Sequence, residues 1–133
     1  MNDVCPLPTI DEFLSDPALL PSNSYINHPD FASLYVRKGK VGISIDGDNA
    51  FYWCDKCVTI ANITARNPGQ GAFTALAEEL MHKGWAIYVE NVNSPQFRMG
   101  LLKKGWTQVN CSSGFMFLNN HDGHLLPMQI GTF

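Results

Sequence analysis

This sequence lacks the features that mark several common functional classes. None of its apolar runs approaches the roughly 20 residues that a membrane-spanning helix needs. Residues 1–6 contain no basic region followed by an apolar stretch, so no signal peptide is expected. Lys and Arg total nine against twelve Asp and Glu, a formal net charge of −3, which provides no general electrostatic surface for nucleic acid or lipid. We therefore expect a cytoplasmic protein with no membrane partner and no indicated nucleic-acid partner.

The sequence also lacks a full set of closely spaced cysteine pairs, although it has four cysteines in 133 residues. Cys54 and Cys57 have the spacing of a zinc ligand pair, but no second pair of that spacing completes a four-ligand site. The flanking residues have strand composition, which predicts Asp55 and Lys56 at the tip of a tight hairpin. We therefore expect buried or hairpin-flanking thiols and no metal, with a metal site as the less favoured alternative.

The first half of the chain predicts an irregular segment followed by antiparallel strands. Residues 1–133 are long enough for one domain with a sizeable core. Residues 1–30 are proline-rich and irregular, except that a capping box at Thr9–Glu12 predicts a short helix over about 10–15. A meander of about four strands is expected over residues 34–37, 41–45, 50–54 and 57–65, with a turn at 38–40.

The second half alternates helices and strands. An amphipathic pattern predicts a helix over about 70–83 that Gly84 ends, followed by a strand over 86–90. Ser94 and Pro95 open a second helix over 95–104, which Gly105 ends. Strands over 106–109 and 115–118 precede a surface tail over 119–133. Strands 57–65 and 86–90, joined by a helix, should lie parallel. The expected class is α/β (α+β), with a mixed, mostly antiparallel twisted sheet of 6–7 strands flanked by helices.

The segment of residues 66–73, Arg-Asn-Pro-Gly-Gln-Gly-Ala-Phe, is the most informative stretch. It joins a strand to a helix through a glycine-rich turn, where free backbone N–H groups and the positive end of the helix dipole suit a phosphate. No Lys follows the turn, so it is not a P-loop. Thr74 stands where a dinucleotide fingerprint needs its third small residue. The turn therefore predicts a site for some other phosphorylated cofactor.

What remains is Arg66-x-x-Gly69-x-Gly71, which resembles the acyl-coenzyme A loop of the GNAT superfamily of N-acetyltransferases, Gln/Arg-x-x-Gly-x-Gly/Ala. A second motif is in register with the first. Residues 88–95, Tyr-Val-Glu-Asn-Val-Asn-Ser-Pro, lead into a helix ending Lys-Lys-Gly-Trp at 103–106, similar to the family's Asn-containing loop and its Lys-x-Gly-Phe. The resemblance covers about residues 32–118 and is specific over 57–106. It looks like a small, phage-type branch of the superfamily.

The resemblance implies a fold, a cofactor and its contacts. The sheet should splay between strands 57–65 and 86–90, and the cofactor should be acetyl-CoA (coenzyme A). Backbone N–H groups near the thioester and pantetheine would come from Ile63, Thr64 and Ala65. The pyrophosphate would lie on the N–H groups of Asn67, Gly69, Gln70, Gly71 and Ala72, with added side-chain contacts from Arg66 and Gln70. Asn93 would contact the cofactor.

The resemblance further implies direct acetyl transfer to an amine, with Glu90 and His28 as candidate bases. The plainer alternatives are a solvated carboxylate at a strand end and a loop histidine. Two departures favour a non-catalytic binding module that acts by protein contact, with or without CoA: the N-terminal segment is short, and Leu101 replaces the usual general-acid Tyr. The expected partners are acetyl-CoA and an amine acceptor, which is a small molecule or a protein, and a homodimer is allowed.

Overall fold

The computed structural model describes residues 7–15, 22–45, 51–110, 114, 116–119 and 125–127, which form three helices and seven strands. In chain order these are α1 (Ile10–Ser15), β1 (Asn23–Tyr25), β2 (Phe31–Ser44), β3 (Phe51–Ala65), α2 (Ala72–His82), β4 (Ala86–Val89), α3 (Pro95–Lys103), β5 (Thr107–Val109), β6 (Met116–Leu118) and β7 (Leu125–Pro127).

The strands form one open, mixed sheet in the order β1-β2-β3-β4-β6-β5, and β7 pairs with the first part of β3. The β3–β4 pair is parallel, and the other strand pairs are antiparallel. The predicted general class, a mixed and mostly antiparallel sheet flanked by helices, is confirmed. So is the parallel pairing of the strands on either side of the first long helix.

The predicted four-strand meander is wrong, because β2 and β3 are two long strands. No turn forms at 38–40 and no hairpin at Asp55–Lys56. Instead Gly39 pairs with Cys57 and Val41 with Cys54, so two residues of β3 face one of β2. This bulge absorbs the polar residues without reversing the chain. It also brings Cys54 and Cys57 to one face, where both are buried, although residues three apart in a regular strand face opposite ways.

A second bulge lies where β3 parts from β4. Val36 pairs with Ile60 but Tyr35 pairs with Asn62, which leaves Ala61 as the extra residue. The parallel ladder with β4 ends at the same point, at the pair Ile60–Val89. A bulge bends its strand and increases the local twist. The last five residues of β3 therefore run on beside a gap instead of beside β4.

Each face of the sheet carries its own core. All three helices pack on one face, through side chains such as Phe13, Leu80 and Leu101 against Val58 and Ile87. The other face carries a smaller core of Ile43, Cys54, Cys57, Ala86, Tyr88, Val109, Met116 and Leu118. This second core leaves part of the sheet uncovered beside Tyr88, where a cavity is found.

The two ends of the chain differ from the expectations in part. The predicted helix over 10–15 is confirmed with its capping box, since the Thr9 and Glu12 N–H groups donate to each other's side chains at 2.9 and 3.2 Å. Strand β1 falls in the segment expected to be irregular. The predicted surface tail over 119–133 is wrong in two places. Asn119 is buried and accepts a hydrogen bond from the Ile87 N–H at 2.8 Å. Residues 125–127 form strand β7, which pairs with β3. The rest of that tail lies outside the described residues.

The two longer helices end as predicted, at Gly84 and Gly105, whose φ values of 91° and 88° are left-handed. Within the described ranges, no helix combines the length and the apolarity that crossing a bilayer requires.

Candidate functional site

The glycine-rich turn leaves the N-terminus of α2 without a protein cap. Gly69 and Gly71 have φ values of 86° and 78°, a region that disfavours side chains with a Cβ. Gly71 is the N-cap residue, and no side chain bonds to the helix end. At α3, by contrast, Ser94 accepts a bond from the Phe97 N–H at 3.2 Å. The first N–H groups of α2 are therefore left for a ligand.

These donors open onto a cavity of about 490 Å³ between the turn, α2 and α3, which we call the helix-side cavity. It is lined by Phe31, Ile63, Ala65, Asn67, Pro68, Gly69, Gly71, Ala72, Phe73, Thr74, Ser94, Gln96, Phe97, Gly100, Leu101 and Lys104. Its α3 wall comprises residues 97, 100, 101 and 104, which share one helix face. The lining is apolar in its middle and polar at the turn, as an elongated molecule with one polar end would require.

One cation stands at the polar end of this cavity. Lys104, the C-cap residue of α3, donates from Nζ to Thr74 Oγ1 in the first turn of α2. No acidic residue occupies that turn. An ammonium group therefore lies beside the positive end of the α2 dipole, where an anion would interact favourably with both.

A second cavity lies in the gap between β3 and β4, next to the helix-side cavity. This strand-gap cavity, of about 310 Å³, is lined by residues 60–63 of β3 and by 89–94 and Phe97 on the other side. It shares Ile63, Ser94 and Phe97 with the helix-side cavity. Arg98 holds the loop after β4 by donating to the Val92 and Asn93 carbonyls at 3.1 and 3.2 Å. The two cavities are thus adjacent spaces with common walls.

A third cavity lies on the sheet face away from the helices. This sheet-face cavity, of about 340 Å³, is lined by Ser22, residues 37–42 of β2, Thr59, Tyr88 and Glu90. Glu90 forms an ion pair with Arg37. Glu90 also lines the strand-gap cavity, so this residue stands at the boundary between the two spaces.

Tyr88 is fixed within the sheet-face cavity by Asn110. The Asn110 amide donates to the Tyr88 hydroxyl and to the Gly42 carbonyl, each at 3.0 Å, and accepts from the Ser44 N–H at 2.7 Å. Burial raises the pKa of the Tyr88 phenol against the opposing effect of the Asn110 bond, and the charge of Glu90 raises it further. The hydroxyl is therefore neutral near pH 7 and keeps its proton to donate.

Most of the predicted cofactor residues lie together. Ile63, Ala65, Asn67, Gly69, Gly71 and Ala72 line the helix-side cavity, and Asn93 lines the strand-gap cavity. Gln70 lines a smaller neighbouring space with Asp30 and Asn67. The side chains of Thr64 and Arg66 are exposed and line none of these cavities. Because N–H groups alternate between strand edges, only alternate members of 63–65 can direct theirs to the gap.

The two predicted bases are not brought together. His28 accepts a bond from the Asp30 N–H at 3.1 Å and packs edge-on against Phe31, with ring centroids 4.9 Å apart. Glu90 contacts Arg37, and the run of β2 from Phe31 to Arg37 spans roughly 20 Å at the rise of a strand. His28 lines none of the four cavities, whereas Glu90 lines both the strand-gap and the sheet-face cavity.

Sequence reasoning missed Arg37, Thr59, Tyr88 and Lys104. The first three are cross-strand neighbours, because Arg37 pairs with Thr59 and Thr59 with Tyr88. That row lies between two of the register shifts in the β2–β3 pair. Two local signals were present in the sequence: Tyr88 and Glu90 are two residues apart, which places them on one face, and Lys104 follows Phe97 at helical spacing.

The Cys54–Cys57 pair is part of the second core. The hydrogen bond to Cys54, together with burial, raises the pKa of the Cys57 thiol, which keeps it protonated. Among the described residues, no group of three or more His, Cys, Asp or Glu side chains lies close enough together to hold a metal ion.

Comparison with known proteins finds no match to this chain among protein-family models, curated proteins or solved structures.

Proposed function

We propose that this protein is a GNAT-like N-acetyltransferase that transfers the acetyl group of acetyl-CoA directly to an amine. One observation carries the proposal. The uncapped, glycine-rich N-terminus of α2 opens onto a cavity that shares walls with a second cavity, in the gap between β3 and β4, and Glu90 lines that second cavity. The sequence motifs in the turn and at the end of α3, similar to those of the superfamily, contribute residues such as Gly69, Gly71 and Lys104 to the first cavity.

The residues present fit acetyl-CoA. Its pyrophosphate suits the free N–H groups of the turn and the Lys104 ammonium. Its narrow pantetheine arm suits the largely apolar space between Ile63 and Phe97. The thioester end would then reach the strand gap, near Glu90. Along residues 61–65, β3 has no described strand on its β4 side, so backbone N–H groups on that edge are free to bond the thioester oxygen.

The chain's own residues then supply proton transfer and charge stabilisation, while acetyl-CoA supplies the activated acetyl group. Glu90 takes one proton from the acceptor ammonium, which frees the nitrogen lone pair. The nitrogen forms a bond to the acetyl carbonyl carbon, and the carbon–sulfur bond breaks with its electron pair remaining on sulfur. The nitrogen's second proton goes to sulfur, and the proton on Glu90 goes to solvent. The products are an amide and free CoA thiol.

Leu101 favours a second candidate, a CoA-binding or purely protein-binding module. It is buried, forms part of the apolar wall and carries no proton. In this second function, the protein would keep the fold and act by contact alone. The two candidates predict different outcomes with the same cofactor, because only an enzyme releases thiol.

The experiment is a thiol-release assay with acetyl-CoA and a panel of amines, run beside a thermal-shift titration with acetyl-CoA. A ligand at 100 times its Kd stabilises the folded state by about 2.7 kcal/mol. The proposal expects stabilisation and amine-dependent thiol release. Stabilisation without release would favour the CoA-binding module, and neither effect would reject the acetyl-CoA site.

A further inference from the structure

The sheet-face cavity carries one charge of each sign, and the proposed function uses only the negative one. Arg37 and Glu90 form an ion pair at its wall, with 45% and 23% of their side-chain surfaces exposed. Exposed pairs of this kind contribute little to stability, so a ligand can replace the mutual contact with its own. The pair borders the space that an acceptor would enter.

The other nearby cations are directed elsewhere. Lys38 donates to the Phe13 carbonyl and lies over the Phe13 ring, on the helix-bearing face. The Lys40 ammonium lies 5.4 Å from the Trp53 ring centroid. Cys54 belongs to the second core, on the same face of the sheet as the cavity, so the neighbouring Trp53 faces the opposite way. Both lysines line the cavity, but their ammonium groups make these contacts elsewhere, which leaves the charges of Arg37 and Glu90, and these two sum to zero. A ligand with a single charge would leave one of them unpaired.

We infer that the acceptor is a small zwitterion of the amino-acid class, whose ammonium binds Glu90 and whose carboxylate binds Arg37. This inference rests on the proposed acetyl transfer. Glu90 borders the strand gap, so the ammonium would lie on the side of the thioester, and the carboxylate would lie further from it. A guanidinium holds a carboxylate through two parallel hydrogen bonds.

The rest of the cavity agrees with this assignment. Its volume of about 340 Å³ is near the lower end of the roughly 300–1,000 Å³ usual for small-molecule sites. Gly39 has a φ of 129° and no atom within 4 Å of an added Cβ, which leaves open space beside Arg37. The Tyr88 hydroxyl, held by Asn110, keeps a proton to donate to a carboxylate. Thr59, between Arg37 and Tyr88, adds a second hydroxyl.

The test compares two acceptor mixtures at saturating acetyl-CoA: the proteinogenic amino acids, and the same compounds as C-terminal amides. Each amide keeps the amine and the side chain and loses only the carboxylate. We expect the amino acids to release thiol at least tenfold faster. Arg37→Gln should raise the KM for amino acids at least tenfold, change kcat little and leave the amide rate unchanged. Lys56→Gln, an exposed substitution on β3 at a residue that lines none of the four cavities, is the matched control and should alter neither rate.

The outcomes separate this inference from the proposed function. Failure of acetyl-CoA to bind the wild-type protein, measured by calorimetry, would reject both. Binding of acetyl-CoA with amides acetylated as fast as amino acids, or with neither mixture acetylated, would overturn the zwitterion assignment alone. An Arg37→Gln protein that keeps its circular dichroism spectrum but loses both rates equally would also overturn it, since a carboxylate contact predicts selective loss.

Discussion

The Glu90 carboxylate borders both the strand-gap cavity and the sheet-face cavity, at the end of the parallel strand pair. Its backbone N–H still donates to the Ile60 carbonyl at 3.1 Å, which anchors the residue just before the strands separate. Its side chain is held by Arg37. A carboxylate fixed between two spaces is suited to take a proton from a group in one space that reacts with a group in the other.

Glu90→Gln should lower turnover about 10²-fold or more, because the amide keeps the shape and hydrogen bonding but cannot take the proton. Binding of acetyl-CoA should be unchanged. Glu78→Gln, an exposed substitution on α2, is the control and should be fully active. Steady-state rates and calorimetry on the three proteins check this. Wild-type turnover by Glu90→Gln would remove Glu90 as the base.

Tyr88 gives a prediction about stability. Its folded-state pKa is raised above the ordinary value of 10.0, first of all by burial. The folded state therefore holds the phenol proton more tightly than the unfolded state does. That contribution to stability is fully present below about pH 10 and is lost as the pH rises through the folded-state pKa.

Tyr88→Phe removes this titration and keeps the ring. The difference in unfolding free energy between wild type and Tyr88→Phe should be constant from neutral pH to about pH 9. Above about pH 10 it should shift against the wild type. Urea denaturation at a series of pH values measures it, and other titrating groups cancel in the difference. A difference that stays constant through the alkaline range would contradict the raised pKa.

The N-termini of the two longer helices differ in their capping. The N-terminus of α3 is capped by a side chain of the protein, and that of α2 is not. Ser94 caps α3, whereas Gly71 offers α2 no side chain. We expect Ser94→Ala to destabilise the free protein by about 1 kcal/mol, because the Phe97 N–H loses its partner. Ser94→Asp should keep the cap and most of the stability. Chemical denaturation of the three proteins measures this, and an unchanged midpoint for Ser94→Ala would show that the cap is not needed.

The sequence predicted helices better than strands, for physical reasons. Helix ends are marked locally, by the capping box at Thr9, by Ser94 and by the glycines after α2 and α3. The long strands were divided wrongly because Gly39 and the Asp55–Lys56 pair are typical turn residues. Only pairing with a second strand shows that they form a bulge. Strand β7 and the buried Asn119 likewise depend on distant partners.

In the candidate site, too, the residues of a contiguous motif were predicted, and those brought together by strand pairing were not. Its glycine-rich turn is a contiguous motif, and four of the residues predicted there line one cavity together with Ile63 and Ala65 of β3. Arg37 and Tyr88 belong to strands far apart in sequence, and a one-residue change of register would move either to the other face. His28 was predicted as a base from its imidazole and from its position near the expected acceptor side, but it packs against Phe31 and lines none of the four cavities.

Across the whole molecule, three cavities lie between the N-terminus of α2 and the sheet face away from the helices, and the middle one shares lining residues with each of the others. The middle cavity lies where the Ala61 bulge and the end of the β3–β4 ladder coincide. The helix-bearing core lies on one side of the sheet, and the second core, with Tyr88, lies on the other. We propose, as the central claim, that the polar end of the helix-side cavity binds the pyrophosphate of coenzyme A.

Gly69 offers a matched pair of variants for that claim. Its φ is 86° and nothing lies within 4 Å of an added Cβ. Asn and Asp tolerate this left-handed backbone better than other residues with a Cβ, and they have the same shape. They differ only in that Asp adds a negative charge where the pyrophosphate should lie.

The most direct measurement is a calorimetric titration of acetyl-CoA into wild type, Gly69→Asn and Gly69→Asp. We expect wild type to bind, Gly69→Asn to bind within a few-fold of it, and Gly69→Asp to bind at least tenfold more weakly, a loss of about 1.4 kcal/mol. Equal affinities for the Asn and Asp variants, or no binding by wild type, would contradict the assignment of this turn to the coenzyme.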